Sequence, residues 1–87
     1  MKRFRIYDNG GETADRYTAV RVSPSRCSDG TRYWEYVGMD EAPFHPQGFG
    51  QHGDAPDPID YPNGKHLGRR IRFKDLPADC QRLLRGE

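Results

Sequence analysis

Residues Asp40 to His66 read DEAPFHPQGFGQHGDAPDPIDYPNGKH, and the reading of this stretch decides how the rest of the chain is assembled. Pro43, Pro46, Pro56, Pro58 and Pro62 are interspersed with Gly48, Gly50, Gly53 and Gly64. Proline removes a backbone donor and glycine weakens any strand it enters, so the pattern predicts a loop over 40–66 rather than a helix or a central strand. A connection of that length in a small domain is uncommon and is usually either functional or disordered. Phe44, Phe49, Ile59 and Tyr61 make it too apolar for disorder, so an ordered Pro/Gly-rich loop that packs on a sheet is expected.

On its N-terminal side the chain reads as short strands. Phe4 and Ile6 alternate with Arg3, Arg5 and Tyr7, the period of a half-buried strand. Asp8-Asn9-Gly10-Gly11 supplies the positive φ angles of a reversal, and Arg16 to Val22 returns, so residues 3–22 form a hairpin. Ser23 to Thr31 is a polar connection. The aromatic-rich RYWEYVGM of residues 32–39 is a third strand, with Tyr33, Val37 and Met39 on one side and Trp34 and Tyr36 on the other. Both sides are apolar enough to be covered.

Beyond the loop, residues 67–74 alternate again, with Ile71 and Phe73 opposite Arg70, Arg72 and Lys74. Residues 75–85 form a helix, with Asp75 as N-cap, Pro77 in the first turn and Asp79 near the positive end of the dipole. Leu76, Cys80, Leu83 and Leu84 share its apolar face, which makes Cys80 a small core hydrophobe rather than a reactive thiol. The expected fold is therefore α+β: a small antiparallel sheet or half-barrel of about four strands with one C-terminal helix.

Eighty-seven residues make one domain, and Leu, Ile, Val and Phe together number only 14. The ten aromatics supply the missing apolar area. Fourteen basic and 13 acidic residues nearly cancel, so no global field draws the protein to nucleic acid or membrane. MKRFRIYD lacks the apolar run of a signal peptide and no stretch is long enough to span a membrane, which predicts a cytoplasmic protein with Cys27 and Cys80 as free thiols.

The blocks YDNGGETADRYT (Tyr7 to Thr18), PFHPQGFGQHG (Pro43 to Gly53) and HLGRRIRFKDLPADCQ (His66 to Gln81) resemble a family of short uncharacterised proteins found in bacteria and on phages and other mobile elements. The resemblance implies a compact single domain with a bacterial or viral host. It carries no activity, cofactor or catalytic residue to any position here.

Four chemistries are open to the residues. A metal site would draw on His45, His52 and His66, but their separations fit no zinc template, so no metal and no cofactor is expected. His45 and His52 beside a cation have the acid and base needed to cleave a phosphodiester, yet no nucleophile motif accompanies them. Arg3, Arg5, Tyr7, Tyr17, Arg21, Arg70, Arg72 and Lys74 lie on nominally outward strand faces and, on neighbouring strands, would give single-stranded nucleic acid one basic and aromatic surface. The leading expectation is binding of another protein through the 43–61 loop, with Phe44, His45, Phe49, His52 and Tyr61 as the contact residues.

Overall fold

The computed structural model describes residues 3–60 and 64–86, and its architecture is α+β, with an open antiparallel sheet and one C-terminal helix. The strands are β1 (Phe4–Asp8), β2 (Tyr17–Arg21), β3 (Ser25–Arg26), β4 (Arg32–Met39), β5 (Phe49–Asp54) and β6 (Arg69–Ile71). The helix α1 is Ala78–Arg85. β4 pairs with β2 on one side and β5 on the other, β1 lies between β2 and β6, and the sheet ends at β5 and β6 without closing.

The first hairpin forms where the Asn-Gly-Gly turn places it, with Phe4 opposite Arg21 and Asp8 opposite Tyr17. Gly10 and Gly11 take φ of 77° and 89°. The Asp8 carboxylate accepts the Gly10 N–H at 2.8 Å, and the Asn9 side chain accepts that of Gly11 at 2.9 Å. Downstream, β2 and β3 both run along β4. Val20 faces Tyr36 but Ser25 faces Tyr33, so two extra residues bulge out between them. The polar connection 23–31 therefore contains a short strand of its own.

The stretch 40–66 is not loop throughout. From Phe49 to Asp54 it pairs with β4 in an unbroken register, Met39 opposite Phe49 through Trp34 opposite Asp54. Pro46 and Pro56 bracket this segment, so it has no proline to break the ladder, and pairing with β4 keeps Gly50 and Gly53 in register despite the weak strand preference of glycine. The strand expected over 67–74 is also shorter than its alternation suggests. Leu67 sits in a 3-10 turn, Lys65–Leu67, and Phe73 in another, Phe73–Asp75.

Between the first 3-10 turn and β6, Gly68 holds φ 85°, and a Cβ there would run into the backbone of Asp8 and Asn9. This close approach seats β6 against β1. Asp75 caps the second 3-10 turn, its Oδ2 accepting the Arg72 N–H at 3.0 Å, while Pro77 rather than Asp75 is the N-cap of α1. Pro77 disfavours the α region for the residue before it, and Leu76 is accordingly extended (φ −72°, ψ 149°), so the helix cannot run through from Asp75 and starts after Pro77.

The core lies between the sheet and α1. Ile6, Tyr17, Ala19, Met39, Leu76 and Cys80 are buried there, and Phe4, Val37, Ile71, Phe73, Leu83 and Leu84 pack around them. Cys80 donates its thiol to the Asp40 carbonyl at 3.2 Å, and burial with nearby Asp40 and Asp79 pushes its pKa up to about 11. The opposite face of the sheet is covered as well. Arg5 projects there, donates to Asp57 at 2.7 Å and lies 5.3 Å from the Trp34 ring, so the Asp57 segment folds back over β1 and β4. Val20 on that face is fully buried.

Candidate functional site

The residues named from the sequence do not gather into one place. His52 lies on the edge strand β5, stacked on Tyr36 with ring centroids 5.1 Å apart. His45 is exposed in the β4–β5 connection, where its N–H donates to the Ala42 carbonyl at 3.1 Å. His66 is exposed in the 3-10 turn that leads into β6, at the other edge of the sheet. Among the described residues no group of three His, Cys, Asp or Glu side chains is placed to hold a metal ion.

The common basic face is divided by strand register. Antiparallel pairing sets Phe4 opposite Arg21 and Ile6 opposite Ala19, so Tyr17 and Arg21 share the α1 side while Arg5 and Tyr7 face away from it. Tyr17 is buried, and that burial raises its pKa; Arg21 is held 3.6 Å from Glu35, and Arg5 is engaged by Asp57. Arg70, Arg72 and Lys74 are exposed along β6 and the turn after it, and Arg3 is exposed just ahead of β1. Arg72 lies 3.7 Å from Asp75.

Of the five contact residues expected in the 43–61 loop, Tyr61 lies outside the described residues. Phe44 and Phe49 are 46% and 42% exposed, and with Val22 they are the exposed large hydrophobics among the described residues. Phe44 sits at the start of the turn between β4 and β5, its ring 5.1 Å from the Arg82 guanidinium of α1. Phe49 opens β5 on the α1 side, opposite buried Met39.

The backbone beside Phe49 is the part that sequence reading missed. The Asp40 N–H donates to the Gly48 carbonyl directly opposite it at 2.9 Å. In an antiparallel ladder hydrogen-bonded positions alternate with non-hydrogen-bonded ones. Gly50, His52 and Asp54 therefore bond inward to β4, and the N–H and C=O groups of Phe49, Gln51 and Gly53 point outward. Among the described residues no strand pairs with that edge. The signal available in the sequence was the proline-free window from Gln47 to Ala55.

Next to this edge, on the α1 side, is a groove of about 660 Å³. Phe4, Tyr33, Val37, Leu83 and Leu84 give it an apolar floor, and Arg21, Glu35, Gln51 and Gly53 form its rim. The other edge is built differently: β6 has three residues, and Arg69 and Arg70 are both exposed on it. No helix among the described residues is long and apolar enough to cross a membrane. No family model, curated protein or solved structure matches the chain.

Proposed function

We propose that this domain binds a protein partner by accepting an extended segment of it as a further strand on the edge of β5. The observation that carries this reading is the contrast between the two sheet edges. Proteins protect exposed edges with short strands, charged side chains, prolines or bulges. β6 has the first two of these devices. From Phe49 to Gly53, β5 has no charge, no proline and no bulge.

Strand addition draws affinity from main-chain hydrogen bonds and specificity from pockets that take alternate side chains. Phe49, Gln51 and Gly53 offer the hydrogen bonds, and the groove beside them has room for an apolar side chain. Phe44 and Phe49 extend the contact at one end. The loop reading thereby narrows to its paired segment. Modulation of a host factor, which the mobile-element resemblance implies, rests on the resemblance alone.

The test uses Gln51→Pro. It removes an outward N–H and leaves the β4–β5 bonds in place. Peptides selected from a displayed random library should slow hydrogen exchange at Phe49, Gln51 and Gly53, and should not bind the variant. Peptides that bind the variant equally well, or that protect amides elsewhere, would sink the reading.

A second reading has its own observation. Lys65, Arg69, Arg70, Arg72 and Lys74 are all exposed within ten residues of chain, and among the described residues Lys65, Arg70 and Lys74 have no acidic partner. Such a cluster suits the phosphates of single-stranded nucleic acid, on a smaller surface than the full set of basic strand residues would make.

A further inference from the structure

We propose that the strand accepted by β5 is β5 of a second copy of this chain, so that two sheets join in a symmetric dimer. This rests on the reading of β5 as an open pairing edge and names its partner. The argument is one of self-complementarity.

A twofold axis through Gln51 pairs all three outward-facing positions at once. Gln51 meets Gln51 of the second copy, Phe49 meets its Gly53, and Gly53 meets its Phe49. No other antiparallel register uses all three.

The side chains fit that register. On the α1 side each Phe49 faces a glycine, the residue that leaves most room for a cross-strand aromatic and gains most from its cover. The Tyr33 ring already lies over Gly53, since a Cβ there would sit 3.1 Å from it. Phe49 of the second copy would therefore bury its exposed ring against Tyr33. On the other face His52 comes opposite Gly50, so again a large ring meets a residue without a side chain.

Charge selects this edge over the other. Residues 49–53 bring no charged side chain to the axis, whereas two copies of β6 paired about Arg70 would set that guanidinium against its own image, with Arg69 next to it in the strand. Isologous pairing needs a surface that is its own complement, and FGQHG read in opposite directions is one.

Sedimentation equilibrium from micromolar to millimolar protein tests this directly. The wild type should show a monomer–dimer equilibrium, and the exchange of the Phe49, Gln51 and Gly53 amides should slow as concentration rises. Gln51→Lys and Gln51→Glu each place like charges across the axis and should each weaken the dimer about tenfold or more. An equimolar mixture of the two should dimerise more tightly than either alone, because residue 51 meets itself only in the symmetric register.

A wild type that stays monomeric at millimolar concentration overturns the dimer, as does a mixture no tighter than its components. If library peptides still protect the β5 amides in that case, the edge reading stands and only the second copy is lost. If Gln51→Pro keeps its peptides, the edge reading itself has failed.

Discussion

The His52 ring stacks on the Tyr36 ring at 5.1 Å and 27°, across the paired strands β5 and β4. This contact assigns His52 to the face away from α1 and, through strand alternation, leaves Phe49 and Gln51 on the groove side. It also helps to hold a glycine-rich strand in register. His52→Ala should cost about 1 kcal/mol of stability, the usual worth of a cross-strand aromatic pair. Urea denaturation followed by Trp34 fluorescence measures this. An unchanged midpoint would mean that the stack holds nothing in place.

Asp8 should control the acid limb of stability. Its carboxylate is almost fully buried; Arg16 donates to it at 2.9 Å, Gly10 adds a backbone bond, and Arg69 lies 3.8 Å away. The hydrogen bond from Arg16, joined by the Gly10 N–H and the positive charge, holds its pKa below the ordinary value of 3.8. A carboxyl whose folded pKa is lowered contributes stability above its unfolded pKa and loses it as pH falls through the folded one. Asp8→Asn should therefore cost about 2 kcal/mol near neutrality, with the deficit shrinking below about pH 4. Denaturation curves across that range check both the size and the sign.

Gly68 should tolerate no side chain. Its φ of 85° and its contact with the Asp8 and Asn9 backbone act together, so Gly68→Ala should destabilise by roughly 3 kcal/mol and loosen β6 first. Hydrogen exchange at Ile71 reports the local effect, and thermal denaturation the global one.

The two cysteines should differ sharply in reactivity. Cys27 is exposed and Cys80 is buried, with a pKa of about 11. At pH 8 the thiolate is the reacting species, so the native protein should take up one equivalent of a disulfide reagent quickly and the second only on unfolding. Rapid uptake of both would show that the contact between Cys80 and the Asp40 carbonyl opens readily.

The cationic β6 edge makes a prediction of its own. Labelled single-stranded oligonucleotide should bind at low salt, weaken steeply as salt rises, and bind at least tenfold more weakly to the double variant Arg70→Glu, Arg72→Glu. Gln51→Pro should leave this binding untouched, because β5 and β6 lie at opposite edges. No gel shift at low salt would end the nucleic-acid reading.

The sequence by itself determined the features that depend on neighbouring residues. Asn9-Gly10-Gly11 fixed the first hairpin because glycine takes positive φ at no steric cost, alternation marked the strands around Ile6 and Tyr36, and Leu76, Cys80, Leu83 and Leu84 marked one apolar face for the C-terminal segment. The tertiary structure decided what depends on partners distant in the chain. Phe49–Asp54 has poor intrinsic strand propensity and pairs only because β4 offers it a template, so composition read it as loop. Alternation within each strand makes Arg5 and Arg21 nominally outward; the register between the strands, set by the hairpin turn, puts them on opposite sides. The outward amides of Phe49, Gln51 and Gly53 follow from that same long-range pairing. A single strand's sequence does not say which of its edges is already bonded, and that is why the candidate site emerged only with the sheet assembled.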